Sequence, residues 1–413
     1  MQTQALYNFT PALSLMLLGV LIALAPLAWV WLRNRQASLP QRLRALTLVT
    51  LFLTFDLVLF GAFTRLSDSG LGCPDWPGCY ASASPLGAQA QISAEQAAAP
   101  HGPVTQRKAW IEMLHRYGAS AVGVLILVLA ATSWLHRQQL RRRLHISPWW
   151  PTLTLLWVCL QGAFGALTVT MKLFPAIVTL HLLGGMVLLA LLQVQASRYT
   201  LATGLGADYG GGALSRTAAT WLMAGFALLW LQIALGGWVS TNYAVLACNE
   251  FPKCQGQWWP QIHWREGFSL WRELGQTSTG SNLSLPALTG IHIAHRLFAF
   301  IVFVVLGVAA AKMLRGAPQR SGVRTAAWGI VALLLWQLVS GLSNVVLGWP
   351  LVAALAHTGG AAALVVVITG VLSSARESLY AVEQHDRSGV APTTMRNMSQ
   401  LSSSFNHLSG GTR

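Results

Sequence analysis

The sequence predicts an all-α polytopic membrane protein: two tandem four-helix bundles in a parallel pseudo-two-fold repeat, plus one extra N-terminal transmembrane helix, about nine spans together. Composition, a train of apolar runs and an internal repeat predict it. Only 9% of the 413 residues are charged and 54% are hydrophobic, whereas a soluble domain carries roughly 25% charged residues. So few charges cannot cover a water-facing surface, which excludes a soluble enzyme, a disordered chain and a fibre. The formal net charge of +15 raises the question of nucleic acid. The arginines, however, sit between apolar runs and form no basic stripe. The expected partner is therefore the lipid bilayer, and no nucleic acid.

The runs long enough to span lie at 11–32, 45–64, 110–135, 149–170, 175–197, 218–239, 288–311, 325–347 and 351–373, each meeting the requirement of about 20 apolar residues. The first reads as a span rather than a signal peptide: residues 1–10 lack positive charge, and Arg33 and Arg35 follow the run instead of a small-residue cleavage site. One alternating set of loops and the tail holds 18 of the 27 Lys and Arg residues. The positive-inside bias makes that side cytoplasmic, with the N-terminus outside and the C-terminus inside. The expected organisation is an extra helix and cytoplasmic loop over 1–44, a first unit over 45–197, a cytoplasmic linker over 198–217, a second unit over 218–373 and a tail over 374–413. The tail is polar and rich in Ser and Gly from about residue 384, and its composition predicts disorder.

The repeat rests on ordered matches. Gly61, Cys73 and Cys79 recur as Gly236, Cys248 and Cys254, all at offset 175. His115-Arg116 recurs as His295-Arg296 at offset 180. LLWVCLQGAFGALTV (155–169) recurs as LLLWQLVSGLSNVVL (333–347). His181 before Gly184-Gly185 recurs as His357 before Gly359-Gly360. Self-similarity at a fixed period marks a duplicated structural unit. Both copies start on the same side of the membrane, so the repeat is parallel.

Four of the five cysteines fall in the two long outer loops, a compartment that permits disulfides. Cys73–Cys79 and Cys248–Cys254 bridges are expected; free thiols or a shared metal site are the alternatives. Cys159 reads as a small core filler.

An ionisable side chain inside a span is a functional candidate. His115, His181, His295 and His357 occupy equivalent positions and lie roughly 8–11 Å below the outer boundary at the helical rise per residue. Two helices of each unit thus turn one imidazole each toward a shared interior, which suits two axial ligands of a haem. Gly118, Gly184, Gly185, Gly359 and Gly360 could admit a flat macrocycle, or only close helix packing. Arg65, Arg116 and Arg296 near the boundary are candidates for propionate contact, with interfacial snorkelling as the alternative.

The copies differ at Glu112, three residues before His115, where the second copy has His292. A buried carboxylate beside a reacting group can move a proton or stabilise positive charge, or it can orient the imidazole. Glu112 is therefore the candidate catalytic residue. Asp56, opposite Leu231 in the second copy, reads as a hydrogen-bonded core acid.

With GAFTRLSDSGLGCPDWPGC (61–79), Glu112-Met-Leu-His115-Arg116, His181, His295-Arg296 and His357 in order, residues 45–373 resemble the haem A synthase family. The extra first span and the polar tail depart from its eight-helix core. The resemblance implies oxidation of a methyl group of haem O to a formyl group by two successive hydroxylations and loss of water, with water as the oxygen source. It implies that His295 and His357 bind a haem b cofactor through which electrons leave, and that His115 and His181 bind the substrate haem. A bacterial inner-membrane location, a haem O-producing farnesyltransferase as a possible partner and an unidentified electron acceptor follow from it too. Three rivals stand beside it: a membrane electron-transfer cytochrome, a haem carrier without chemistry, and a transporter. Four histidines near one face disfavour a transmembrane wire, and Glu112 weighs against a carrier.

Overall fold

The computed structural model describes residues 10–144, 146–203, 214–319 and 321–388. Among these the fold is all-helical, without strands: α1 (Thr10–Arg33), α2 (Leu39–Leu66), α3 (Gln89–Ala98), α4 (Gln106–Leu135), α5 (Arg137–Leu144), α6 (Trp149–Thr170), α7 (Pro175–Ala202), α8 (Arg216–Thr241), α9 (Trp264–Gly267), α10 (Leu285–Gly316), α11 (Gly322–Val346) and α12 (Leu351–Ser388). Nine of the described helices are long and apolar enough to cross a membrane: α1, α2, α4, α6, α7, α8, α10, α11 and α12. Each covers one expected run to within a residue, so this is a multi-pass membrane protein.

Several helices outrun the apolar runs because caps, not hydropathy, decide where they start. Thr105, Ser215, Ser284 and Ser321 each accept a backbone N–H from the first turn of α4, α8, α10 and α11. Such a side chain satisfies a donor that the helix itself cannot. Ser38 and Gln41 form a reciprocal box at the start of α2. At the other end α12 continues to Ser388, beyond the expected limit at 373. The remainder of the expected tail, 389–413, lies outside the described residues, as do 204–213 of the linker.

Helices α2, α4, α6 and α7 pack in a closed ring, each against the next, and α8, α10, α11 and α12 repeat that ring. Between the rings, α7 meets α12, while α7 on α8 and α12 on α2 are exchanged contacts. Three hydrogen bonds join residues that are equivalent in the repeat: Arg65 Nη2 to Ser240 O at 2.8 Å, Tyr243 to Asp68, and Ser373 Oγ to Ser197 Oγ at 2.9 Å. A residue touches its own symmetry mate only at a two-fold axis. The first two bonds lie at the C-terminal ends of α2 and α8 and the third toward the C-terminal ends of α7 and α12, at the opposite end of the bundle. The axis therefore runs along the helices, as a parallel repeat requires.

Helix α1 lies outside both rings and packs on α4. A Cβ at its Gly19 would stand 2.7 Å from Ser120 Cβ, so only glycine allows this approach. Two sequence readings are corrected by helix phase. Cys159 and Asp56 are both exposed. Each sits two residues from an inward-facing partner, Gln161 and Thr54; two residues turn the helix by about 200°, to the opposite face.

Candidate functional site

The outer end of each ring carries a disulfide loop held down by the arginine after the first histidine. Sγ–Sγ distances are 2.11 Å for Cys73–Cys79 and 2.00 Å for Cys248–Cys254, the expected pairing. Arg116 Nη1 donates to the carbonyls of Asp75, Pro77 and Gly78 at 3.0, 3.1 and 2.5 Å. Arg296 donates to the carbonyls of Lys253 at 3.2 Å and Cys248 at 3.3 Å. Gly78 and Lys253 are repeat equivalents, so this is one clamp built twice. Inside each loop a carboxylate closes the turn. Asp75 accepts from Tyr80 N at 2.6 Å and Ala81 N at 2.7 Å, and Glu250 accepts from Gly256 N. Helix α3 adds Ile92, fully buried beside Cys73 and Cys79.

Glu112 belongs to the first clamp. Its Oε2 accepts from Cys73 N at 2.8 Å, and its Oε1 pairs with Arg116 Nη2 at 2.5 Å. Side-chain exposures of 5% and 8% make this a buried ion pair. In the second copy His292 Nε2 takes the carboxylate's place and accepts from Arg296 Nε at 3.1 Å. The carboxylate is thus directed at the loop and the guanidinium. Arg65 lies apart from both clamps, over the Tyr243 ring at 4.1 Å. Burial raises the Tyr243 phenol pKa against the opposing pull of Arg65, which keeps the hydroxyl a donor to Asp68. All three arginines expected near propionates therefore have protein partners.

Below the clamps two of the histidines form a close pair in the second unit. The His295 and His357 rings stand 6.4 Å apart, centre to centre, at 77° to each other. With about 2 Å from a metal to an imidazole nitrogen and about 1 Å from that nitrogen to the ring centre, two axial imidazoles stand about 6 Å apart across one iron. The observed pair meets that spacing. The polar surroundings also fit. Ser340 Oγ donates to Trp336 O at 2.7 Å and lies 3.0 Å from His357 Nδ1. A hydroxyl has a single proton, so toward the ring it accepts. His357 then carries its proton on Nδ1, leaving the Nε2 lone pair free for a metal.

Glycines set the rings in place. A Cβ at Gly61, Gly165, Gly236 or Gly341 would lie 3.0, 3.4, 3.0 or 3.2 Å from Cε1 of His115, His181, His295 or His357 respectively. One glycine on a neighbouring helix thus backs each imidazole. These positions differ from the glycines singled out by sequence. Gly184 makes room for Gln161, Gly360 for Trp336 and Gln337, and Gly118, Gly185 and Gly359 face Leu57, Val58 and Leu59. The two glutamines serve the histidine backbone: Gln161 Nε2 donates to His181 O at 2.8 Å and Gln337 Nε2 to His357 O at 2.9 Å. The signal for the imidazole-backing glycines was present in the aligned copies, as Gly61/Gly236 and Gly165/Gly341. Only packing shows which of the many glycines meet a ring.

Comparisons with known proteins identify the family. The family model COX15-CtaA, described as cytochrome oxidase assembly protein, matches residues 44–369. The chain is 36% identical to a heme A synthase of Shewanella oneidensis over 78% of its own length and 92% of the relative's. It is 29% identical to a heme A synthase of Methylobacterium sp. strain 4-46, over 81% and 92% of the two chains. A heme A synthase of Halalkalibacterium halodurans is 26% identical over 73% and 86%.

Proposed function

The chain belongs to the COX15-CtaA family of cytochrome oxidase assembly proteins, and from that premise we propose how its two units divide the work of a haem A synthase. The reaction oxidises the methyl group of haem O to the formyl group of haem A. The second unit, 218–373, holds the resident haem, of b type, between His295 and His357. The first unit, 45–197, takes haem O between His115 and His181 and is where the methyl group reacts. The haem in the second unit is supported by its pair of imidazoles at axial spacing, and the observation that carries the division is Glu112, which has His292 in its place in the second unit and so favours the first unit as the reacting one.

When bound, the resident haem supplies a one-electron acceptor. The chain's own residues do the rest. The glycines hold each ring against a helix backbone, Gln161 and Gln337 fix the backbone that carries His181 and His357, and the two loops cap the outer end of each ring. Glu112 acts in the first unit alone. Because both its oxygens already have donors, the geometry supports a role in placing the loop and Arg116 over the substrate more directly than proton transfer. Arg65, Arg116 and Arg296 would meet propionates with the N–H groups that the loops leave to them. The unit lies in a bacterial inner membrane with the loops on the periplasmic side. Haem O arrives from the farnesyltransferase that makes it, and electrons pass on to an acceptor of unknown identity.

Co-expression with a source of haem O, followed by pigment extraction, tests the reading. Haem A is expected in the extract. Retention of haem O alone beside bound haem b would leave a carrier or an electron-transfer cytochrome.

A further inference from the structure

The two haem units differ in what stands behind their imidazoles. In the second unit, Ser340 Oγ accepts from His357 Nδ1 at 3.0 Å, because its proton is committed to Trp336 O. Gln232 Nε2 lies 3.0 Å from His295 Nδ1 and 3.4 Å from its Nε2, and donates to His295 O at 3.2 Å, so it offers that ring no acceptor. In the first unit the position matching Ser340 is Phe164 and that matching Gln232 is Leu57, at offsets of 176 and 175. Phe164 cannot accept a hydrogen bond, and Nδ1 of His181 is buried with no side-chain partner among the described residues; the Gln161 backbone beside His181 is matched by the Gln337 backbone beside His357, so the Ser340 hydroxyl is what distinguishes the two rings.

A hydrogen bond accepted from Nδ1–H fixes the ring's tautomer and orientation and raises the basicity of Nε2 toward a metal. We propose that Ser340 is a positioning residue that makes the second unit the retaining haem site, and that Phe164 leaves the first unit with a weaker, exchangeable axial ligand at His181. This rests on the reading that the second unit holds the resident haem. It explains how two copies of one scaffold keep one haem and turn over the other. A site that must release its product gains from ligands that hold the iron less tightly, whereas a permanent electron acceptor does not.

The test uses the purified full-length chain with its resident haem and measures transfer of that haem to excess apomyoglobin, together with its reduction potential. Ser340→Ala is expected to lose haem about 10- to 100-fold faster than the parent, the usual cost of removing such a partner. Its potential should move to more positive values, since a less basic ligand favours ferrous iron. Ser340→Thr keeps the hydroxyl and should restore both. Phe164→Ser should slow the release of haemin loaded into the first unit. An unchanged transfer rate and potential in Ser340→Ala would overturn the proposal while leaving the resident site in place. So would a Thr variant that behaves like Ala. Failure of the underlying reading is distinguishable: the parent's bis-imidazole spectrum would then survive His357→Ala.

Discussion

Four glycines and one ion pair decide the site at the level of single residues. A relaxed carbon–carbon contact needs about 3.5–4.0 Å, so the Cβ of Gly236→Ala, 3.0 Å from His295 Cε1, must push the ring aside. Gly236→Ala and Gly341→Ala are expected to lower the haem b absorbance per purified protein at least several-fold. Gly61→Ala should leave that absorbance intact and depress only haem A formation. Normal haem content in Gly236→Ala and Gly236→Val would show that the imidazole has slack that the packing does not suggest. Glu112 allows a sharper comparison. Glu112→Ala leaves Arg116 buried without its partner, which costs about 3–5 kcal/mol, and deprives Cys73 N of its acceptor. Glu112→Gln keeps an oxygen for Cys73 N and loses the charge. Both variants should keep the second-unit haem. Haem A production should fall strongly in the Ala variant, and less in the Gln variant if loop placement is the main role. Near-normal production by both would remove Glu112 from the machinery altogether.

Among the elements, the disulfide loops are bound to their helices by Arg116 and Arg296 rather than by hydrophobic burial alone. Peptide mapping without reduction is expected to give Cys73–Cys79 and Cys248–Cys254, and a Cys73–Cys248 link would contradict the duplicated loop. Arg296→Leu should release the second loop and increase protease cutting between Cys248 and Cys254 without moving the first. The spans themselves were legible in the sequence, because a run of apolar residues is a property of composition and survives any packing. The histidines were legible because the chain states them twice. Asp56 and Cys159 were misread because a single polar residue in an apolar run carries no mark of its helical phase until neighbours such as Thr54 and Gln161 fix which face is inward. Helix α3 escaped notice for a related reason: apart from Ile92 its ten residues are nearly all small or polar, so no periodic pattern announces it. The hydroxyl behind His357 was equally hidden, since Ser340 gains meaning only from where its one proton goes.

For the molecule as a whole, the two-fold axis along the helices places both histidine pairs toward the same end of the bundle, so the proposed haem sites would share one membrane face. The contacts between Arg65 and Ser240 and between Tyr243 and Asp68 pin the outer ends of α2 and α8 together, beside the paired histidines. Under the proposed division of roles, electrons from the reacting unit would move sideways within one half of the membrane rather than across it. That arrangement demands one topology: both disulfide loops outside, and the basic connections inside. Two arms of a labelling experiment test it with single cysteines in a background lacking Cys159. A cysteine at Ser93, in α3 of the first outer loop, should react with a membrane-impermeant maleimide in intact spheroplasts. A cysteine at Gln139, in the basic helix α5, should react only after the membrane is opened. The direction is set by charge: 18 of 27 Lys and Arg residues lie on the α5 side, and translocating such segments is disfavoured. Because α3 and α5 flank the single span α4, opposite behaviour is required of them whatever the other helices do. Equal labelling of both positions in intact spheroplasts would mean that α4 does not cross. The parallel repeat, and with it the shared face of the two haem sites, would then have to be abandoned.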